Sequence, residues 1–280
     1  MRLALLASLC ASLCFPACSR HPAASPIYTF SYGPDPAQRC HFYLPSNPSP
    51  QSRPLAVVVH GGAWRDGSPE EIAAAGLFQP LLDRGFLVAA PAYRLAPAHR
   101  APAAAVDLRN AIAAAARLCP RFSGDPARLL LAGFSAGAHL ALLAATAPPG
   151  AVPSPIARPA AIVSFWGISD LPALLEDPRT RSLATAWLPD PFPYELPSLL
   201  SPLRYADRTL VPVLAFHSRH DPLVPFSQSR SLVEAIDAAG GRATLIELDH
   251  RSHAPAAPAV QLLYARVFEF LEQTTPNLLP

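Results

Sequence analysis

Six short apolar runs, at residues 55–60, 86–90, 128–134, 161–166, 213–217 and 243–248, recur along this chain with helix-like segments between them. The first, Leu-Ala-Val-Val-Val-His, carries no polar group until its end, the pattern of a strand covered on both faces. Ser68-Pro69-Glu70-Glu71 follows, with a capping serine, a proline suited to the first helical position and a glutamate placed to close a capping box. This predicts a helix to about residue 83, ended near Gly85. Residues 102–118 form an alanine-rich helix with Val106, Leu108 and Ile112 on its face, and further helices are expected at 136–145, 226–239 and 259–272. Strands that alternate with helices build βαβ units, so the chain belongs to the α/β class: a mostly parallel central sheet flanked by helices. Short strand-like pieces at 27–32 and 40–44, set among prolines, suit an antiparallel hairpin at the sheet edge.

One interval breaks the rhythm. Residues 167–211 hold no long buried strand and are rich in proline, with Trp187, Phe192 and Tyr194 among them. A Pro-rich cap or lid insertion is one reading, and a crossover helix with proline-stiffened loops is the other.

The formal charge is +2, from 22 basic and 20 acidic residues, and every basic residue is an arginine. These arginines are scattered with no dense run, which sets nucleic-acid binding aside. Residues 1–18 place one arginine before a short Leu/Ala run, as a signal peptide does. The run is too short to span a bilayer, so export is expected: to the periplasm, to the medium, or to the envelope through a lipid on Cys18, which follows an imperfect lipoprotein box. Membrane attachment is expected only through that lipid. Residues 19–280 then form a single domain. Of the five cysteines only Cys40 and Cys119 remain in it, enough for one disulfide, and no spacing suits zinc.

Chemistry concentrates at the ends of the apolar runs. The run at 128–134 leads into Gly133-Phe134-Ser135-Ala136-Gly137 and then a helix, the strand-turn-helix context of a nucleophile elbow. The NH of Ala136, at the helix start, can face a developing oxyanion. Upstream, His60-Gly61-Gly62-Ala63-Trp64 ends the first run, and its paired glycines let the NH groups of Gly62 and Ala63 turn inward as further donors. His60 is expected to brace this loop. A serine hydroxyl needs a base to take its proton and an acid to orient the base. Asp221 follows the run at 213–217 and is the favoured acid, with Asp170 as the competitor; His253 is the favoured base after the last run, with His250 as the competitor. His21, His41, His99 and His139 are read as surface or helix-packing residues.

With these residues in place the sequence resembles the α/β-hydrolase superfamily, and within it the hormone-sensitive-lipase-like and feruloyl-esterase-like carboxylesterases. The resemblance runs from about residue 55 to 272. It rests on His60–Trp64, on Pro91-Ala92-Tyr93-Arg94-Leu95-Ala96-Pro97, on the elbow with its following Ala138-His139-Leu140, and on Asp221-Pro222-Leu223-Val224-Pro225. It implies that the Tyr-Arg-Leu-Ala-Pro run is structural. Ala63-Trp64 departs from the lipase-like Gly-aromatic pair and is similar to kynurenine formamidases and feruloyl-type esterases, and Phe134 stands where His, Asp or Glu is frequent. The implied activity is that of a serine carboxylic-ester hydrolase acting on a small-molecule ester, of short to medium chain or aromatic, with no cofactor or metal. An aryl-formamidase, a serine peptidase and a non-catalytic binding protein on the same scaffold are the alternatives.

Overall fold

The computed structural model describes residues 27–46, 52–153 and 158–280. The expected signal peptide at 1–18, the lipid site at Cys18, and His21 lie outside these. Eight strands form one sheet in the order β1-β2-β4-β3-β5-β6-β7-β8. They are β1 (Tyr28–Ser31), β2 (Arg39–Tyr43), β3 (Arg53–Val59), β4 (Leu87–Pro91), β5 (Gly124–Phe134), β6 (Ala161–Phe165), β7 (Val213–Ser218) and β8 (Ala243–Leu248). The hairpin β1–β2 pairs antiparallel with itself and with β4, and every pairing from β4 to β8 is parallel.

The continuous apolar runs have the expected cause. Leu55, Val57 and Val59 of β3 point into one buried cluster, with Leu129 and Leu131 of β5, while Ala56 and Val58 point into a second, with Leu130, Ala132 and Phe134. Side chains alternate across a strand, so a strand covered on both faces must be apolar at every position. Each Val or Leu so buried contributes roughly 1.5–3 kcal/mol.

The helices are α1 (Pro69–Ala74), α2 (Gln79–Asp83), α3 (Ala103–Leu118), α4 (Ala136–Thr146), α5 (Leu171–Glu176), α6 (Arg181–Trp187), α7 (Leu196–Leu199), α8 (Ser227–Ala238) and α9 (Ala257–Thr274). Ser68 Oγ accepts from the Glu71 NH as the cap requires. The single helix expected over residues 68–83 is two. Gly76, at φ +65, ends α1 with the paired bonds Gly76 N to Ala73 O and Leu77 N to Ile72 O, a Schellman closure sealed by Ile72 and Leu77 in one cluster. Proline at position 80 then sits in the first turn of α2, where its missing NH costs nothing.

The interval 167–211 holds α5, α6, α7 and a 3-10 segment, Pro202–Arg208. Leu171, Leu174, Ala184, Trp187 and Leu200 are buried in the same cluster as β3, α3 and α4. The segment is thus packed into the body as the crossover from β6 to β7. Cys40 and Cys119 are both buried and unpaired. Among the described residues no helix is long and apolar enough to cross a membrane, and no cluster of His, Cys, Asp or Glu could hold a metal ion.

Candidate active site

The carboxyl ends of the parallel strands carry all of the sequence-predicted site residues. Ser135 stands between β5 and α4 at φ 52, ψ −117, a backbone conformation that costs a non-glycine residue of order 1–3 kcal/mol. Its NH is held by Phe165 O of β6 at 2.8 Å. The flanking glycines explain why the turn can be so tight. A Cβ on Gly133 would sit 2.5 Å from the Gly137 carbonyl, and one on Gly137 would sit 2.3 Å from His60 O and 2.4 Å from Val59 O. The elbow therefore abuts the end of β3, where the loop bearing Gly62 and Ala63 begins.

That loop curls through three successive positive φ values: Gly62 at 108, Ala63 at 52 and Trp64 at 59. Its turn is closed by Arg65 N and Asp66 N, both donating to Gly62 O at 2.9 Å. Among the described residues the NH groups of Gly62 and Ala63 form no backbone hydrogen bond. His60 lies beneath, its ring stacked on Tyr93 at 4.2 Å and its Nδ1–H donating to Gly61 O at 2.7 Å. Burial pushes the His60 imidazole down to about 4, partly opposed by the Gly61 carbonyl, so it is neutral at neutral pH. The Tyr93 hydroxyl donates to His60 O at 3.0 Å, and Arg94 grips the buried Asp107 through Nε and Nη2 at 2.9 and 2.8 Å. The Tyr-Arg-Leu-Ala-Pro run thus underpins the loop.

The expected acid and base, Asp221 and His253, come together from two loops. Ser135 Oγ donates to His253 Nε2 at 2.9 Å, and His253 Nδ1 donates to Asp221 Oδ2 at 2.7 Å. Because a carboxylate can only accept, Nδ1 carries the proton in the neutral ring and Nε2 is free to take one from serine. Asp221 Oδ1 accepts from the NH groups of Leu223 and Val224 at 2.8 and 2.9 Å. Burial alone would raise the Asp221 carboxyl, but hydrogen bonds from His217, His253 and the Val224 NH hold it well below the usual carboxylate range. Trp166, at φ 42, sets its indole edgewise to the His253 ring at 6.4 Å.

The two competitors lie elsewhere in the network. Asp170 caps α5 by accepting from Ala173 N at 3.2 Å, and its backbone is held by Gln228, whose Oε1 accepts from both Ser169 N and Asp170 N. The His250 Nδ1 meets Ser252 Oγ at 3.1 Å, and its carbonyl accepts from Ser218 Oγ. The other histidines read as packing residues divide. His99 is half-exposed and lies 3.4 Å from Asp35, while His41 is buried and joins Thr29 to Glu70. His139 does more than pack. Its Nε2–H donates to Leu200 O at 2.7 Å, its Nδ1 accepts from Trp64 Nε1 at 3.3 Å, and Trp64 stacks on Trp187 at 4.7 Å. It thereby joins the loop, the elbow helix and the crossover segment. His217 was also missed, although a polar residue closing an otherwise apolar strand four positions before Asp221 could have marked it.

The BD-FAE family model matches residues 40–236, well over half of the chain. This chain belongs to the BD-FAE family. Esterase LipC of Mycobacterium tuberculosis is 30% identical over 223 residues, which are 74% of the chain and 54% of LipC. The isoprenylcysteine alpha-carbonyl methylesterase ICME of Arabidopsis thaliana is 29% identical over 237 residues, 79% of the chain and 55% of the relative. The chain thus spans about half the length of the curated relatives it matches. The apo form of Thermogutta terrifontis esterase 2 superposes with a TM-score of 0.76 at 24% identity, covering 94% of the chain and 98% of that structure. At that identity the likeness speaks for the fold alone, and this BD-FAE member has the α/β-hydrolase fold.

Proposed function

We propose that this protein is a serine carboxylic-ester hydrolase. The observation that carries the reading is the relay from Ser135 Oγ through His253 to Asp221, with separations of 2.9 and 2.7 Å, built on a strained elbow. Esterase names among the relatives support the same chemistry. Ser135 Oγ attacks the acyl carbon while its proton passes to His253 Nε2, and Asp221 stabilises the imidazolium so formed. The carbonyl oxygen becomes an oxyanion held by the NH groups of Gly62, Ala63 and Ala136. Collapse breaks the bond to the alkoxide, which leaves with the proton from His253. Water then repeats the sequence on the acyl-enzyme and regenerates serine. Backbone dipoles supply the charge stabilisation, so the reaction needs no metal or organic cofactor. The partly apolar segment 167–211, with Trp187, Phe192 and Tyr194, favours short- to medium-chain or aromatic esters.

The test is hydrolysis of p-nitrophenyl esters of rising chain length by the purified full chain, beside N-formylkynurenine and a peptide anilide, with Ser135→Ala as control. Ester turnover that falls by about 10⁴-fold or more in the control is the expected result. Turnover of the formamide or the anilide alone would move the relay to amide chemistry. No turnover of any substrate would leave a binding scaffold.

A further inference from the structure

We propose that His217 is a positioning residue of this site, acting on the reaction through Asp221 by donating one Nε2–H jointly to the Val224 carbonyl and to the carboxylate oxygen that His253 also uses. The inference rests on the relay reading above and deepens it. His217 is the next-to-last residue of β7, and its side chain and that of Asp221 are both fully buried. A buried imidazole is costly unless its nitrogens are matched, and here both are. Nδ1 lies 2.7 Å from Ser229 Oγ, while Nε2 lies 3.0 Å from Val224 O and 3.3 Å from Asp221 Oδ2. A carbonyl and a carboxylate only accept, so Nε2 must carry the proton and the Ser229 hydroxyl must donate to Nδ1. The edge-on ring of Phe226, 6.0 Å away at 90°, fixes the plane.

Two consequences reach the chemistry. Asp221 now has four donors, two backbone NH groups on Oδ1 and two imidazoles on Oδ2, so its carboxylate cannot turn about its own bond without losing several of them. The shorter contact, 2.7 Å, goes to His253, and the longer one to His217 holds the same oxygen in line for it. The bond to Val224 O also pins the far end of the acid loop to β7. The next residue treats the base loop alike: Ser218 Oγ donates to His250 O and accepts from His220 N. Packing alone would be served as well by an apolar ring at position 217, because the four residues before it in the strand, Val213 to Phe216, are all apolar. The imidazole is needed for what it donates.

The test compares His217→Phe, which keeps the ring volume and removes the donor, with His217→Gln, whose amide nitrogen reaches the place of Nε2, each alone and with Asp221→Asn. Two readouts are taken on the full chain: kcat and KM for p-nitrophenyl butyrate, and the rate at which a fluorophosphonate labels Ser135. The Phe variant should lose about 10- to 100-fold in kcat and in labelling rate, less than removal of Asp221 itself, with KM within about threefold. The Gln variant should recover most of that loss. With Asp221→Asn already present, the Phe change should cost less than about twofold, because its effect passes through the missing carboxylate. A folded Phe variant within twofold of the parent, a Gln variant no better than Phe, or an equal loss in both backgrounds would overturn the role. Should the Phe variant not fold, His217→Asn, long enough for Ser229 but too short for Asp221, replaces it against Gln under the same criteria. Labelling without ester turnover by the parent would sink the esterase reading while the labelling rates still decide the role of His217. Absence of both from the parent would overturn the relay and this role together.

Discussion

The two halves of the site are held by different physics. On the inner side, β3 and β5 are buried at the site end, and the elbow and the loop of Gly62 and Ala63 touch backbone to backbone, with no room for a single Cβ on Gly137. On the outer side, β8 is only half-covered, and in the loop that follows it, residues 249–256, His253 is the one buried residue. The inner half is set by steric exclusion within a few residues. The outer half is set by side-chain hydrogen bonds thrown across from β7, from His217 to the acid loop and from Ser218 to the base loop. The place of Ser135 can therefore be read from its immediate neighbours, whereas His253, on an exposed loop, takes its place from partners about thirty residues away.

The largest test of this contrast lies on the outer half. His253→Asn should lower kcat/KM for a p-nitrophenyl ester by about 10³-fold or more, while His250→Asn, which keeps a polar group beside Ser252, should stay within about tenfold. Equal losses would mean that the exposed loop does not select one histidine. Next comes the steric half. Gly137→Ala forces a methyl onto two carbonyls and should destabilise the protein by about 1–3 kcal/mol, whereas Arg251→Ala on the base loop should stay within about 0.5 kcal/mol, both measured by urea unfolding. A Gly137→Ala protein as stable as its parent would remove the steric argument.

The smallest effect per step is a pH dependence that belongs to the inner half. His60 and His139 are both pushed by burial from 6.5 down to about 4. Between those values the unfolded chain binds protons that the folded chain refuses. Their contribution to stability is thus complete above pH 6.5 and is lost as pH falls toward 4, at roughly 1.4 kcal/mol per pH unit for each ring. Asp221 is depressed instead from the carboxylate range, so its contribution is present above about pH 4 and drops out only below it. Urea midpoints at pH 7 and pH 5 check this, and His139→Phe should remove one ring's share of the slope. A midpoint that does not change between pH 7 and 5 would refute the buried neutral pair.

Much of this was legible from residue order. The apolar runs at 55–60 and 128–134 carried the sheet, because a strand covered on both faces takes a polar side chain only where that group finds a hydrogen-bond partner. The single helix expected over 68–83 was not, since Gly76 reads as an ordinary interruption until Leu77 and Ile72 are seen to close over it. Ser135, Gly62 and Ala63 stood out because glycine spacing encodes backbone crowding. Asp221 and His253 could each be favoured over one competitor, Asp170 and His250, by their place after a strand.

The amino-acid sequence by itself determined the strand-helix alternation, the elbow, and the small set of groups able to do acyl chemistry, because these follow from the local steric demands and polarity of neighbouring residues. Only the tertiary structure decided which aspartate meets which histidine, that residues 167–211 pack into the body through Trp187, and that His139 ties the loop and the elbow helix to that segment. Those facts depend on groups thirty or more residues apart in the chain coming into contact, and no local pattern records such an approach.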